Sequence, residues 1–257
     1  MIWNIYKAQR GHSIKVTESL SKGTGFPIVN MPSLLLDGGM ITYGDGYGLQ
    51  ALILQCQDQC RPWVYIDRGY FKSGHYEGYY RVTKNAYQLQ KVGNFKPDRW
   101  ERLGLEIKPW REKGNLIIVC PPSPHLAGML RIDHKLWTHN VVKELKLRTR
   151  KEILVRPKPS VYERTRNPIE ALFPRTHALV TFASNAAIDA LLWGIPIFMT
   201  SDRGAAYAYA EKDLSKIEKP WFPEGREKLM YSLAANQWTL EEMENGTCWR
   251  ELTENQW

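Results

Sequence analysis

Residues 177–200 have the sequence HALVTFASNAAIDALLWGIPIFMT, and this stretch is the most informative in the chain. The apolar run at 178–182 is typical of a strand buried on both faces of a parallel sheet. A turn of small polar residues follows it, and a helix then leads to a second apolar strand at 195–199. A strand, a helix and a second strand at this spacing predict a βαβ unit.

The same alternation is found upstream of this unit. Leu116–Cys120 (LIIVC) is a fully apolar run, and a Pro-rich turn, a helix around 135–147 and a strand at 153–155 follow it. An earlier βαβ unit starts with a strand at Met40, and its elements have clear bounds. They are a Gly-rich turn at 44–48, a helix at 49–59 and a strand at 63–66. Strands that alternate with helices predict the α/β class.

The segment IKPWREKGN (107–115) combines Pro109, Gly114 and four charges, which is typical of a hinge or linker. We therefore predict two Rossmann-like domains, residues 1–112 and 113–257, with a ligand-binding cleft between them. The last 50 residues are predicted to be helices that pack back on the first domain.

Composition restricts the class of protein further. The 257 residues are 43% hydrophobic and 24% charged, the balance of a globular protein, which excludes disordered, collagen-like and coiled-coil chains. A formal net charge of +8 favours an anionic partner. Four scattered cysteines indicate free thiols in a reducing compartment, so we expect a cytoplasmic protein. The sequence shows no membrane span and no signal peptide, and we expect no membrane partner.

Loops that follow strand carboxyl ends line the binding crevice of a doubly wound sheet, so PPSPH, RPKP and FASN are predicted to face one site. The helix after FASN begins at Ser184 or Asn185, where free amides and the helix dipole favour a diphosphate. Asp189 lies one turn further on and could accept hydrogen bonds from ribose hydroxyls. An ordinary cap and an exposed helical acid remain the alternative interpretation.

The pattern Ser-Asn-x-x-x-Asp-Ala-x-x-x-Gly-x-Pro at 184–196 resembles the nucleotide-sugar motif in the C-terminal domain of GT-B-type glycosyltransferases. The resemblance implies that the small-residue turn contacts phosphate and that Asp189, five residues before Gly194, contacts ribose. The family usually has Glu at this position. Residues 229–249 resemble the end of capsule-polysaccharide-type transferases and of related phage-encoded glycosyltransferases. The first half of the chain carries no such resemblance.

The GT-B resemblance also assigns roles to cations. Arg156 and Lys158, in the RPKP loop, are expected against the phosphates of the donor, and His125 and Arg203 are further donor-binding candidates. Such cations can stabilise a departing diphosphate without a metal ion. We therefore expect no metal and no cofactor besides a nucleotide-sugar co-substrate, with uridine diphosphate as its carrier.

Asp67 directly follows the strand at 63–66, at an end expected to open onto the cleft, as a general base for an acceptor hydroxyl requires. Asp45, His75 and Glu77 are competing candidates for the catalytic base. A capping or structural role is the alternative for Asp67.

Aromatic and basic residues alternate from Trp63 to Tyr87, a combination that can stack on a sugar or an extruded base while contacting phosphates. The predicted acceptor-binding residues are Arg68, Tyr70, Phe71, Lys72, Tyr76 and Arg81. Residues 1–111 hold 15 basic and 9 acidic side chains, so most of the net positive charge lies on this domain. About half of these aromatics are expected in the core, and the charges could equally form a solvated surface.

These observations favour a glycosyltransferase that transfers a sugar from a nucleotide sugar to a hydroxyl group. The resemblance to phage-encoded enzymes suggests a hydroxymethylated pyrimidine in double-stranded phage DNA as acceptor, reached by base extrusion in the host cell cytoplasm. One alternative is a capsule- or lipopolysaccharide-type transferase that acts on glycan. Another is a non-catalytic nucleic-acid-binding α/β protein.

Overall fold

The computed structural model describes residues 2–8, 11–30, 33–46, 48–74, 77–159 and 166–255. The chain divides into two compact units, each with its own sheet. The first unit comprises Met1–Leu89, Phe95–Leu103 and Tyr231–Trp257, and the second comprises Gln90–Asn94 and Gly104–Met230.

The described residues form ten strands and nine α-helices. The strands are β1 (Trp3–Lys7), β2 (Ile28–Asn30), β3 (Gly39–Tyr43), β4 (Trp63–Arg68), β5 (Tyr80–Lys84), β6 (Leu116–Cys120), β7 (Glu152–Val155), β8 (Thr176–Thr181), β9 (Ile197–Met199) and β10 (Gln237–Trp238). The helices are α1 (Gly11–Thr24), α2 (Leu49–Asp58), α3 (Asp98–Leu103), α4 (Pro124–Met129), α5 (His134–Arg148), α6 (Ala186–Leu192), α7 (Arg226–Ala235), α8 (Leu240–Glu244) and α9 (Thr247–Asn255). None of these helices has the length and apolar character needed to cross a lipid bilayer.

The sheet of the first unit is mixed. Its strand order is β10-β5-β4-β3-β1-β2, with β1 to β4 parallel and with β5 and β10 antiparallel to their neighbours. Its core joins β1, β3 and β4 to the end of the chain, because Trp238, Met243, Cys248 and Leu252 are fully buried in the same cluster as Ile5. At Gly23 in α1 an added Cβ would lie 2.0 Å from the carbonyl oxygen of Met243, so only glycine permits this close packing of α1 on α8.

The sheet of the second unit is parallel throughout, with the strand order β7-β6-β8-β9. All five residues of β6 and all six of β8 are buried. The continuous apolar runs in the sequence predict this burial, because such strands are covered on both faces of the sheet. The core cluster of this unit includes Ile117, Val180 and Phe198 from the strands and Val141 and Leu145 from α5.

The segment around Pro109, which its composition suggests is a linker, is packed on the second unit. The amide of Lys108 donates to the carbonyl of Leu192 at 2.8 Å, and the amide of Arg111 donates to Gly194 at 2.7 Å. A Cβ at Gly194 would lie 1.9 Å from the carbonyl oxygen of Pro109, and its φ of 71° also favours glycine. The segment thus lies within the main run of the second unit, Gly104–Met230.

Candidate functional site

The four parallel strands of the second unit end at one edge of the sheet, which we call the carboxyl edge. The loops that follow them are 121–123 after β6, 156–159 after β7, 182–185 after β8 and 200–206 after β9. The strand order reverses between β6 and β8, and ligands of doubly wound sheets bind in the crevice at such a reversal. The structure thus places the PPSPH, RPKP and FASN loops at the same edge, as the sequence predicts.

Arg156 and Asp189 both shift the pKa of one buried group at this edge, the thiol of Cys120. Burial raises the pKa of this thiol to about 12, while the charge of Arg156 lowers the pKa and the charge of Asp189 raises it. Arg156 directly follows β7 and Asp189 lies in the first turn of α6, so both residues belong to the edge at which β6 ends. The amide of Arg156 donates to the carbonyl of Val119 at 2.8 Å, which fixes the start of the RPKP loop. Two predicted donor-binding residues are therefore brought together.

The turn before α6 is held mainly by its own hydrogen bonds. Asn185 is the N-cap residue of the seven-residue helix, but its side chain makes no capping bond. The hydroxyl of Ser184 accepts from the amide of Ala186 at 3.2 Å, and the carbonyls of Ser184 and Asn185 accept from Ala187 and Ile188 at 3.1 and 2.8 Å. The amides at 186–188 are thus occupied, and the phosphate site predicted from free amides would need side-chain donors instead.

The predicted cations at the carboxyl edge differ in how firmly they are held. The half-buried Arg156 donates from its guanidinium to the carbonyl of Asn167, whereas Lys158 is exposed. Arg203 is 61% exposed, with its Nε 3.6 Å from Asp202. His125 is exposed in the first turn of α4. Arg156 is therefore the best-ordered of these predicted phosphate ligands.

Sequence reasoning missed two aromatic side chains at this edge, Trp137 and Phe182. Trp137, in the first turn of α5, donates from Nε1 to the hydroxyl of Thr200 at 2.8 Å. Its ring also meets Phe182 edge to face, with centroids 6.1 Å apart. Both are only partly buried, so their ring edges remain available to a planar ligand. A Trp in the first turn of a helix that follows a strand-end loop was the available signal.

In the first unit, Asp67 forms a close ion pair across β4 and β5. Its Oδ2 lies 2.6 Å from Nη2 of Arg81, the residue directly opposite in the sheet, and its Oδ1 accepts from the amide of Arg68 at 2.8 Å. Both carboxylate oxygens thus have donors. A proton from an acceptor would compete with the ion pair, so this geometry supports a structural role and leaves the base assignment of Asp67 a prediction.

Asp45 lies near Asp67, at the end of the neighbouring strand. Burial raises the pKa of the Tyr65 hydroxyl well above its usual value, and the charges of Asp67 and Asp45 raise it further. Asp45 is half-buried in the turn after β3, where Gly44 and Gly48 have positive φ angles of 70° and 85°. The carboxylates of Asp45 and Asp67 therefore both affect the same buried tyrosine hydroxyl. Another predicted base, His75, lies outside the described residues.

Half of the predicted acceptor-binding residues are buried. Arg81 is 6% exposed and donates to the carbonyls of Tyr87 and Arg68 at 3.2 and 2.7 Å, besides its ion pair with Asp67. Tyr70 is 8% exposed and its hydroxyl accepts from the amide of Leu89, while Phe71 is 4% exposed and packs on Trp100. These three residues stabilise the fold and cannot meet an acceptor in this conformation.

Two of the predicted acceptor-binding residues remain accessible. Lys72 is exposed, and Arg68 is half-buried and hydrogen-bonded to Tyr43. Tyr76 lies outside the described residues. An acceptor role therefore stays a prediction for Arg68 and Lys72.

No family model and no curated protein matches the sequence. Two solved structures from Thermosulfurimonas dismutans are similar. One is described as KpsC, beta Kdo 2,7 transferase, with a TM-score of 0.55 and 12% identity over 98% of this chain and 100% of that one. The other is described as KpsC, beta Kdo 2,4 transferase, with a TM-score of 0.53 and 11% identity over 91% and 90%. At this identity the likeness concerns the fold alone, which the chain shares with these two structures over nearly its whole length.

Proposed function

We propose that the protein is a glycosyltransferase that transfers a sugar from a nucleotide donor to a hydroxyl group of a glycan. The similar structures are named as Kdo transferases, which favours the glycan alternative over hydroxymethylated DNA. The observation that carries the proposal is the placement of Arg156 and Asp189 at the carboxyl edge, where the strand order reverses. A cation and an acid at such a crevice can recognise a phosphate and a ribose together.

In this proposal Arg156 supplies the charge that catalysis needs. The bond between the anomeric carbon and the donor phosphate oxygen breaks, and its electron pair leaves on the phosphate. Arg156 stabilises the developing negative charge, assisted by the exposed Lys158 and Arg203. Asp189 accepts hydrogen bonds from the ribose hydroxyls and so orients the donor. Cys120 takes no part as a nucleophile, because a thiol with a pKa of about 12 stays protonated at neutral pH.

The acceptor oxygen forms the new bond to the anomeric carbon and must lose its proton. We propose that a carboxylate takes this proton, with Asp45 and Asp67 as the candidates. Both oxygens of Asp67 accept hydrogen bonds, from Arg81 and from the amide of Arg68, and Asp45 is half-buried in the turn after β3. Comparing Asp45→Asn with Asp67→Asn separates the two: the true base loses turnover while donor affinity is kept.

The part of the proposal that concerns the donor is tested by measuring the release of free nucleotide from UDP-, GDP- and CMP-linked sugars. Uridine diphosphate is the expected carrier, but the proposed contacts recognise phosphate and ribose with any base. Arg156→Ala and Asp189→Ala should abolish both release and binding of the cognate nucleotide. The matched control is Arg175→Ala, which removes a cation at the opposite edge of the same sheet, where Arg175 pairs with Glu152. Equal loss in all three variants, or turnover of no donor by the native protein, would contradict the proposal.

Two further measurements address the acceptor and the metal. Label from the cognate donor should appear on acidic oligosaccharides and not on plain or hydroxymethylated duplexes. Transfer to a hydroxymethylated duplex would instead support the DNA acceptor. We also propose that no metal is needed, in which case EDTA leaves turnover unchanged.

A further inference from the structure

Helix α5 carries two exposed leucines on one face. Leu136 is 57% exposed and Leu147 is 80% exposed, whereas Val141 and Leu145 on the opposite face are buried in the core. The two leucines lie about three helical turns apart, so their side chains project from the same side. Exposing apolar surface to water in this way is unfavourable, and covering it with a partner lowers the free energy.

Cations surround these leucines. Lys143 lies on the same face between them, and Lys135 and Lys146 lie along one flank. With Arg150 just beyond the helix, these four exposed cations have no ion pair among the residues that the structure describes. Basic residues in the last turn of α5 complement the helix dipole. This does not explain Lys135 and Lys143, which lie near the start and the middle of the helix.

A cavity of about 560 Å³ lies at the end of α5. Its lining includes Lys146, Arg148, Arg150, Lys151 and Glu218. Arg148 pairs with Glu144 at 3.1 Å and Lys151 pairs with Glu218 at 3.2 Å, which leaves Lys146 and Arg150 to bind an added anion. Leu147 also lines this cavity, so one of the two exposed leucines lies directly beside these cations.

We propose that this face of α5, with the cavity at its end, docks the protein on an anionic phospholipid bilayer. The lysines contact the negatively charged surface, Leu136 and Leu147 enter the boundary between headgroups and acyl chains, and a lipid phosphate occupies the cavity. A polyanion in water would use the cations but would leave the leucines exposed. The combination of both on one helix face therefore fits a lipid surface. Docking of this kind requires no membrane-spanning helix, and it revises the expectation that the protein has no membrane partner.

The test is flotation of the whole protein with vesicles of phosphatidylcholine alone or of phosphatidylcholine and phosphatidylglycerol at 7:3. Binding should be confined to the anionic vesicles and should weaken as salt is raised. Lys143→Gln should lower the partition coefficient about fivefold. The double variant Leu136→Ser and Leu147→Ser should lower it about tenfold.

Matched controls lie in the first unit. Leu34→Ser removes a leucine that is 59% exposed, and Lys96→Gln removes an exposed lysine, and neither should change partitioning. Absence of binding to anionic vesicles would overturn the proposal. An unchanged partition coefficient in the double leucine variant, with tight binding of the native protein to duplex DNA, would also overturn it in favour of a polyanion. All the substituted side chains are exposed, and circular dichroism verifies that each variant is folded.

Discussion

The two edges of the second unit's sheet differ in how their polar groups are held. At the carboxyl edge, the hydroxyl of Thr181 bridges the Cys120 carbonyl and the Ser184 amide, and Arg156 is half-buried. At the amino edge, where the strands begin, Arg175 is 54% exposed and its ion pair with Glu152 faces water. Partly desolvated groups held by hydrogen bonds suit a reaction that needs precise geometry, and exposed charges suit a broad surface. The same sheet thus offers a place for chemistry and a place for docking.

The largest expected effect is on turnover, when one arginine is replaced at each of the two edges. Arg156→Ala should reduce turnover of the nucleotide sugar by about 10²- to 10³-fold, because it removes charge from the departing phosphate. Arg175→Ala should change turnover less than about twofold, since exposed ion pairs contribute little. Steady-state kinetics of nucleotide release gives both values. Similar losses in both variants would mean that Arg156 acts through stability.

Two buried threonines at the ends of β8 provide a second comparison. The hydroxyl of Thr176 donates to Leu172 at 2.8 Å, and that of Thr181 donates to Cys120 at 2.7 Å. Thr→Val at either position should lower the free energy of unfolding by about 1–3 kcal/mol, measured by urea denaturation. Only Thr181→Val should also weaken nucleotide binding, by about tenfold, because it releases the Ser184 amide. Equal binding by both variants would show that the turn does not contact the donor.

The carboxyl edge should limit stability at alkaline pH. Burial holds the pKa of Cys120 at about 12, whereas its ordinary value is 9.0. The unfolded thiol ionises first, so the free energy of unfolding should fall by about 1.4 kcal/mol per pH unit between these values. Cys120→Ala should lack this contribution when denaturation at pH 8 and pH 10 is compared with the native protein. The same pH dependence in both proteins would assign it to other groups.

The amino edge should limit stability at acidic pH. His177, near the start of β8, has a pKa below its ordinary 6.5 because of burial and, secondarily, the charge of Lys151. The unfolded imidazole binds a proton before the folded one, so stability should fall as pH drops below 6.5. His177→Gln should flatten this decline in denaturation between pH 7 and pH 5. His139→Gln, on the exposed face of α5, serves as the control and should retain the native decline.

The predictable parts of the fold were those with long apolar runs. The apolar run at Leu116–Cys120 coincides with β6, whereas the run at 178–182 overlaps β8, which starts two residues earlier and ends at Thr181. Both strands are buried along their whole length, as strands covered on both faces of a sheet are. α1 went unnoticed because its buried positions include Ser13 and Thr17, which weaken the apolar period. β10 was hidden in a region predicted as helices, since a two-residue strand has no periodicity and forms through its pairing with β5.

The site was predictable only as far as topology defines it. The strand ends placed Arg156, Ser184 and Asp189 at one edge from the sequence alone. The partner of Asp67 was not predictable, because the ion pair depends on the antiparallel register of β4 and β5. The burial of Tyr70 and Phe71 likewise follows from packing against segments distant in sequence, such as Gln237, whose side chain accepts from the amide of Phe71.

The return of the last segment to the first unit affects the order of events during synthesis. Residues 104–230 form one uninterrupted run that can fold soon after it leaves the ribosome, while the first 89 residues still lack Trp238, Met243 and Leu252. Until these side chains emerge, the apolar faces of β1, β3 and β4 stay open to chaperones and proteases. A stop codon just after residue 230 would therefore damage the unit made first more than the unit made second.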